Sequence, residues 1–328
     1  EKMSGLHFWI KCDKVGMIGK KENVYMELVF HKTTIDDVEE LGRLLEQNRY
    51  RGCEWSIPNL VLWAEYYHME YATVNHALIV KHSKEDGKVR LTFPVGLATE
   101  EEEREILELE IRYFRQIGQE PRLEQIDLVM WEKLERWYPG RFRIEWMRDN
   151  ADYIYEREKL VSLAGKKLHG KRNHIKRFQD QNPGWRYESL RDDNIEACID
   201  MAKEWCRRNC CTEDDEKEEE FHLVIKALKN YKALRMKGGL LRNETGVVAF
   251  TLGSPIGPDT FDVCFEKAFG EIQGAYTMIN QQFVRNELQE YRYINREEDL
   301  GVPGLRKAKL SYYPDILLEK GMVSLREF

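Results

Sequence analysis

At 328 residues, the chain exceeds the usual size of one domain and has room for two, each with its own core. Hydrophobic residues make up 42% and charged residues 33%, the balance of a folded globular protein rather than a disordered one. The net charge of -7 argues against a general nucleic-acid coat, and no apolar run reaches the roughly 18 residues that a bilayer-spanning helix needs, so the chain reads as cytoplasmic.

Periodicity is weak until Met26-Glu27-Leu28-Val29-Phe30, and residues 1–25 are expected to be an extension outside the fold. From there the order is strand, Asp-capped helix (Ile35 to Leu41), then a hairpin of Ala77 to Val80 and Val89 to Phe93 around Gly87. An acidic run, Glu100 to Glu103, leads into an amphipathic helix over Glu103 to Gln116. The same succession returns later. Arg186-Tyr187-Glu188 leads into Arg191 to Ala197; Gly239 to Leu241 and Val247 to Phe250 flank Gly246; and Ala275 to Gln289 forms the helix. Such a repeat implies a duplicated α/β unit, expected to divide at 26–150 and 151–328. Similar hairpins also recur in unrelated α/β proteins.

Between the copies, Tyr155 to Phe178 reads as a helix with Leu160, Ala164, Leu168, Ile175 and Phe178 on one stripe. Lys167 and Lys171 share that stripe. A long cation on a buried stripe must reach water or an anion, so either these lysines border a cleft or Gly165 and Gly170 break the helix and turn them outward. From Lys166 to Arg177 there are six basic residues and no acidic one, and His169-Gly170-Lys171-Arg172-Asn173 suits phosphate binding. A nucleotide, the acceptor end of a tRNA and a lipid headgroup all satisfy that chemistry.

Two later segments are also candidates. Phe261 to Glu266 alternates as a half-buried strand with Glu266 on its polar side, and Gly270 and Gly274 precede a helix whose N-terminal amides can hold an anion. Glu266 is a candidate general base or ammonium ligand; as a surface acid it would need no explanation. Tyr291 to Asn295 forms another strand, followed by Glu297, Glu298 and Asp299, then a last helix over Gly304 to Tyr313 that carries Arg306, Lys307 and Lys309 and stops at Pro314. The acids suit an amine and the basic residues an anion, or both are a solvated loop with local ion pairs. Cys206, Cys210 and Cys211 cluster without a second pair, so no metal site is expected.

Gly165 to His174, Glu266-Lys267-Ala268, Tyr293 to Gly301 and Gly304 to Lys309 closely resemble the C-terminal domain family of phosphatidylglycerol lysyltransferases; Cys53-Glu54-Trp55-Ser56, Asn59-Leu60 and Trp63 resemble its N-terminal half. The resemblance implies two tandem N-acetyltransferase-like α/β domains related to Fem-type aminoacyltransferases. It further implies an acyltransferase that takes an aminoacyl group from aminoacyl-tRNA to an amine or hydroxyl acceptor, a lipid headgroup or a small molecule. An acyl-CoA-dependent N-acyltransferase and a non-catalytic binding protein for a phosphorylated ligand are the alternatives. Acetyl-CoA is disfavoured, because Glu271 leads the Phe269 to Ala275 loop and would repel a pyrophosphate. The substrate-binding set expected is Lys167, His169, Lys171, Arg172, Asn173, Glu266, Asn295, Glu297, Glu298, Asp299, Arg306, Lys307 and Lys309, with the Lys166 to Arg172 and Asn295 to Lys309 segments meeting at one cleft.

Overall fold

The computed structural model describes residues 27–83, 86–211 and 215–326; the expected N-terminal extension and the start of the acidic run from Glu213 lie outside them. The first half runs β1 (His31–Lys32), α1 (Val38–Leu45), α2 (Ile57–Leu62), β2 (Met69–Val74), β3 (Ala77–Ser83), β4 (Val89–Thr92), α3 (Glu100–Gln116), β5 (Arg122–Ile126), α4 (Leu128–Trp137) and β6 (Phe142–Trp146). The second begins with β7 (Asp152–Glu156), α5 (Arg157–Ser162), α6 (His169–Gln181), β8 (Arg186–Ser189), α7 (Ile195–Arg208) and α8 (Asp215–Lys229). It continues with β9 (Lys237–Asn243), β10 (Gly246–Pro255), β11 (Thr260–Ala268), α9 (Ala275–Glu287), β12 (Tyr293–Asn295), α10 (Pro303–Leu310), β13 (Ile316–Leu318) and β14 (Gly321–Leu325).

Among the described residues these strands form two seven-stranded mixed sheets, β1-β2-β3-β4-β5-β14-β6 and β8-β9-β10-β11-β12-β7-β13. The two orders correspond place by place, and the sixth place in each is filled from elsewhere. β7 follows the first half in the chain but sits between β12 and β13; β14 follows the second half but sits between β5 and β6. The second half thus lends its last strand, β14, to the first sheet, while its first strand, β7, closes back between β12 and β13 of its own. A continuous core joins the halves, with Trp55, Leu60 and Phe93 of the first in one cluster with Leu223, Leu240 and Phe250 of the second.

Local chemistry explains the element starts. Thr99 caps α3 through a reciprocal pair of bonds with Glu102, so the helix begins at Glu100 rather than at Glu103. Asp127 accepts from the Met130 amide (2.8 Å) to start α4, and Pro58 and Pro303 occupy first turns.

Two sequence expectations need correction. The repeated hairpin was matched one strand out of register: by sheet position β2–β3 corresponds to β9–β10, and β3–β4 to β10–β11. β2 escapes notice because its turn to β3, Asn75-His76, takes two left-handed residues (φ 50° and 68°) without a glycine to announce it. The expected helix over Tyr155 to Phe178 is instead a strand end and two helices, α5 and α6. Left-handed Leu163 and Gly165 (φ 47° and 87°) reverse the chain between them, while Gly170 lies inside α6.

Candidate functional site

The site begins where two strands part. β11 and β12 pair in parallel over three residues only, ending at Asp262 opposite Asn295. β11 then continues beside β10 to Ala268, while the chain after β12 stays with β7 through the Arg296 amide and the Glu297 carbonyl. Between them opens a wedge. On β11, Asp262, Cys264 and Glu266 alternate on one face, and Arg296 and Glu297 face them from the other side.

At the upper level, Arg296 donates to Glu266 Oε1 (2.9 Å), and Asn280 of α9 donates to Oε2 (3.1 Å), so both carboxylate oxygens are engaged. Burial opposes the charge on Arg296, but Glu266 outweighs it and holds the guanidinium firmly protonated. The Tyr312 ring carries Arg296 at 5.0 Å and the Lys171 ammonium at 3.8 Å. Among the described residues, no carboxylate lies within ion-pair distance of Lys171. Burial, reinforced by Arg296 and opposed by Glu266, pushes Lys171 down to about 8.

Deeper in, residues of the first half enter. Asn59 of α2 donates to Glu297 Oε1 (2.8 Å) and Asp262 Oδ2 (3.3 Å), and the Cys264 thiol meets Asp262 Oδ2 (3.3 Å). Burial pushes the Asp262 carboxyl up to about 8, with Asp152 and Glu298 adding to it; Glu297 is raised by burial and then by Asp262 and Glu298. Beside them Lys320 is buried against Asp152 (2.8 Å) and Glu54 (3.0 Å), and Cys53 donates to Glu298 Oε2 (3.0 Å). Burial opposes the Lys320 charge, but Asp152, Cys53 and Glu54 overcome it and raise its pKa.

The expected residues divide accordingly. Lys171, Glu266 and Glu297 line the wedge. Lys167 stands over the Tyr313 ring (5.2 Å), beside a shallow depression on α10 lined by Lys307, Arg306 and Tyr313. Asp299 is fully buried and taken up by Arg306 (2.6 and 2.8 Å), Tyr153 (2.5 Å) and Arg148 (3.1 Å); Arg306 holds its pKa far below the usual carboxylate range. That knot anchors α10. Lys309 is buried with its ammonium on the Glu298 carbonyl, and Asn295 bridges Asp152 (2.8 Å) and the Arg51 carbonyl (2.8 Å). Arg172 closes the α5–α6 break by donating to the carbonyls of Leu163 and Gly165, while His169 and Asn173 pair with each other at the surface. Gly274 (φ 84°) caps α9, and a Cβ there would lie 2.1 Å from the His174 carbonyl of α6; Gly270 is open on all sides.

Sequence reasoning did not single out Arg296, Asp262 and Cys264 as site residues. The signal for Asp262 and Cys264 was present in the alternation along β11, whose polar face looks into the wedge rather than into solvent.

The model of the phosphatidylglycerol lysyltransferase C-terminal family matches residues 46–323. The chain belongs to this family. A conserved protein of unknown function from Bacteroides thetaiotaomicron is 37% identical, with a TM-score of 0.84, over 91% of this chain and 100% of that one. L-PGS from Bacillus licheniformis is 16% identical (TM-score 0.60) over 87% of this chain and 91% of its own, and FemX 10% identical (0.55) over 90% and 97%. These last two share the fold, and the expected α/β class with mixed sheets is what the structure has. An uncharacterised protein of Mycoplasmoides gallisepticum is 21% identical over 221 residues, which is 63% of this chain and 68% of the relative. Among the described residues no helix is long and apolar enough to cross a membrane.

Proposed function

We propose that the protein transfers an acyl group, specifically an aminoacyl group from aminoacyl-tRNA, to an amine or hydroxyl acceptor within the β11–β12 wedge. Family membership supports aminoacyl transfer, and one observation favours the wedge as its place: Lys171, half-buried on Tyr312 beside Arg296, has no carboxylate partner among the described residues and is pushed down to about 8. An aminoacyl ester is already activated, so the site needs chiefly to position it and stabilise charge. The acceptor N–H or O–H attacks the ester carbonyl, and neutral Lys171 takes its proton. Arg296 faces the developing oxyanion. The carbon–oxygen bond to the ribose then breaks, and Lys171 returns the proton to the departing ribose oxygen. Glu266, with both oxygens engaged, serves to hold Arg296. Exposed Lys166, Lys167, Lys176 and Arg177 on and before α6 meet the donor's phosphates.

The acyl-CoA alternative is poorly served, because the α9 turn that would hold a pyrophosphate lies against the His174 carbonyl oxygen at Gly274 and carries Glu271. The test incubates the protein with the full set of charged tRNAs and with amine, hydroxylated and lipid-vesicle acceptors. A tRNA-dependent aminoacylated product is expected, with Lys171→Met lowering kcat by at least ~100-fold and abolishing a rise of kcat/KM with pH through about 8. Absence of product from every charged tRNA refutes the reading.

A further inference from the structure

Two trios of metal-type donors sit in the seam between the halves: Cys53, Glu54 and Asp152, and Asp262, Cys264 and Glu297. In each, one sulfur and two carboxylate oxygens all lie within 4.8 Å of one another. The trios differ in what neutralises them. The first encloses the Lys320 ammonium, at 2.8 Å from Asp152 and 3.0 Å from Glu54, with the Cys53 sulfur at 3.6 Å. Its cation is supplied by the chain itself.

The second trio has no such lysine. Its bonded neighbour is the neutral amide of Asn59, and the nearby Lys309 ammonium turns to the Glu298 carbonyl. Two buried atoms at this trio make no hydrogen bond, Asp262 Oδ1 and Ser56 Oγ, and both residues are fully buried. The Ser56 hydroxyl lies beside both Asp262 and Cys264. A buried carboxylate oxygen and a buried hydroxyl left without partners cost free energy unless something occupies the space between them.

We propose that Asp262, Cys264 and Glu297 bind a borderline-soft divalent cation of the zinc type, with Ser56 Oγ or a water at the fourth position. A thiolate with two carboxylates suits zinc and cobalt and disfavours calcium or magnesium, which take oxygen alone. The cation stands to this trio as Lys320 stands to the other. It ties the first half (Ser56, Asn59) to β11 and to the turn at Glu297. The cysteine spacing along the chain conceals the site, because it uses a single cysteine with Asp262 on the same strand and Glu297 beyond β12 rather than paired cysteines.

The trio lies deeper in the same wedge than Lys171 and Arg296, and its test reads metal binding rather than turnover, so its failure is distinguishable from failure of the transfer reading. Protein stripped with a chelator is titrated with cobalt(II), followed by absorbance, and separately loaded with zinc, desalted and assayed by elemental analysis. A single equivalent of zinc is expected to stay bound, and cobalt to give a thiolate-to-metal charge-transfer band. Cys264→Ser is expected to lose that band and Asp262→Asn to lose the retained zinc, each folded by circular dichroism, whereas Cys53→Ser keeps both. If Cys264→Ser does not fold, Asp262→Asn and Glu297→Gln carry the test. Failure of the parent protein to retain zinc overturns the proposal. So does a band that survives Cys264→Ser, or one that disappears on replacing Cys53 or the Cys206–Cys211 cluster.

Discussion

The two halves share one strand order, yet their wedges have opposite characters. In the first, β4 and β5 pair over Leu91–Leu123 and Thr92–Glu124 and then part, as β11 and β12 do. That opening is filled: Phe93 stacks on Trp137 (6.1 Å between centroids), and Lys133 on α4 reaches Glu103 and the Tyr50 hydroxyl (2.9 Å), which itself donates to Glu103 (3.0 Å). Charge there cancels within the half. In the second, the ammonium of the buried lysine of the corresponding helix, Lys309, bonds a carbonyl instead, and among the described residues neither Asp262 nor Glu297 makes an ion pair; Asn59 is their bonded neighbour. Of two copies of one scaffold, the one whose buried charges do not cancel internally is the one in which we propose that a charged ligand binds.

The strongest way to break this comparison is to remove the cation that closes the seam. Lys320→Ala leaves Asp152 and Glu54 buried and unpaired, and should cost about 3–5 kcal/mol of unfolding free energy, read from denaturant midpoints. Because Lys320 has a raised pKa, its contribution is fully present below the pKa of an unfolded lysine, ~10.4, and is lost only as pH rises through the folded value. A loss under ~1 kcal/mol would show that the seam is held by its apolar core alone.

Glu110 of α3 sharpens the comparison from the other side. It is fully buried, neither carboxyl oxygen has a partner, and burial alone drives its pKa well above the carboxylate range. It is a neutral acid in an apolar setting rather than a ligand site. The native state holds its proton at pH values where the unfolded chain has lost it, so stability falls as pH rises above about 4.5 toward the folded pKa. Glu110→Met should therefore stabilise the protein by about 1–3 kcal/mol at neutral pH and flatten that slope, as thermal melts from pH 4 to 8 would show.

The smallest effects separate two glycines. Gly274→Ala combines a left-handed backbone with a Cβ 2.1 Å from the His174 carbonyl, and should cost about 1–3 kcal/mol. Gly270→Ala meets open space at an ordinary φ and should stay within ~0.5 kcal/mol. Equal melting temperatures for the pair would mean that α6 does not press on the α9 turn.

Much of the scaffold was legible because its signals are local. The amphipathic run of α3, the apolar alternation of Phe261, Val263 and Phe265 and the basic run around α6 each depend on a few neighbouring residues. Lys171 and Glu266 stood out for the same reason, one as a cation among apolar residues and the other as an acid on a strand's polar face. Their relation to Arg296 and Tyr312 did not, since no spacing encodes it.

By itself the sequence determined the duplicated α/β elements and the placing of charge along them, because helix caps, strand alternation and turn residues act over a few positions. The tertiary structure alone decided that β14 crosses into the first sheet and that β7 inserts between β12 and β13, and that Asn59, Asp262 and Glu297 meet. It also decided which acids have a counter-ion, Asp299 taking Arg306 and Asp152 taking Lys320, while Asp262 takes none among the described residues. The reason is physical: a carboxylate on a strand looks the same in sequence whether its face meets water or a closed wedge. Only the fold sets the burial and the distance to the nearest cation, and these fix both its charge and its use.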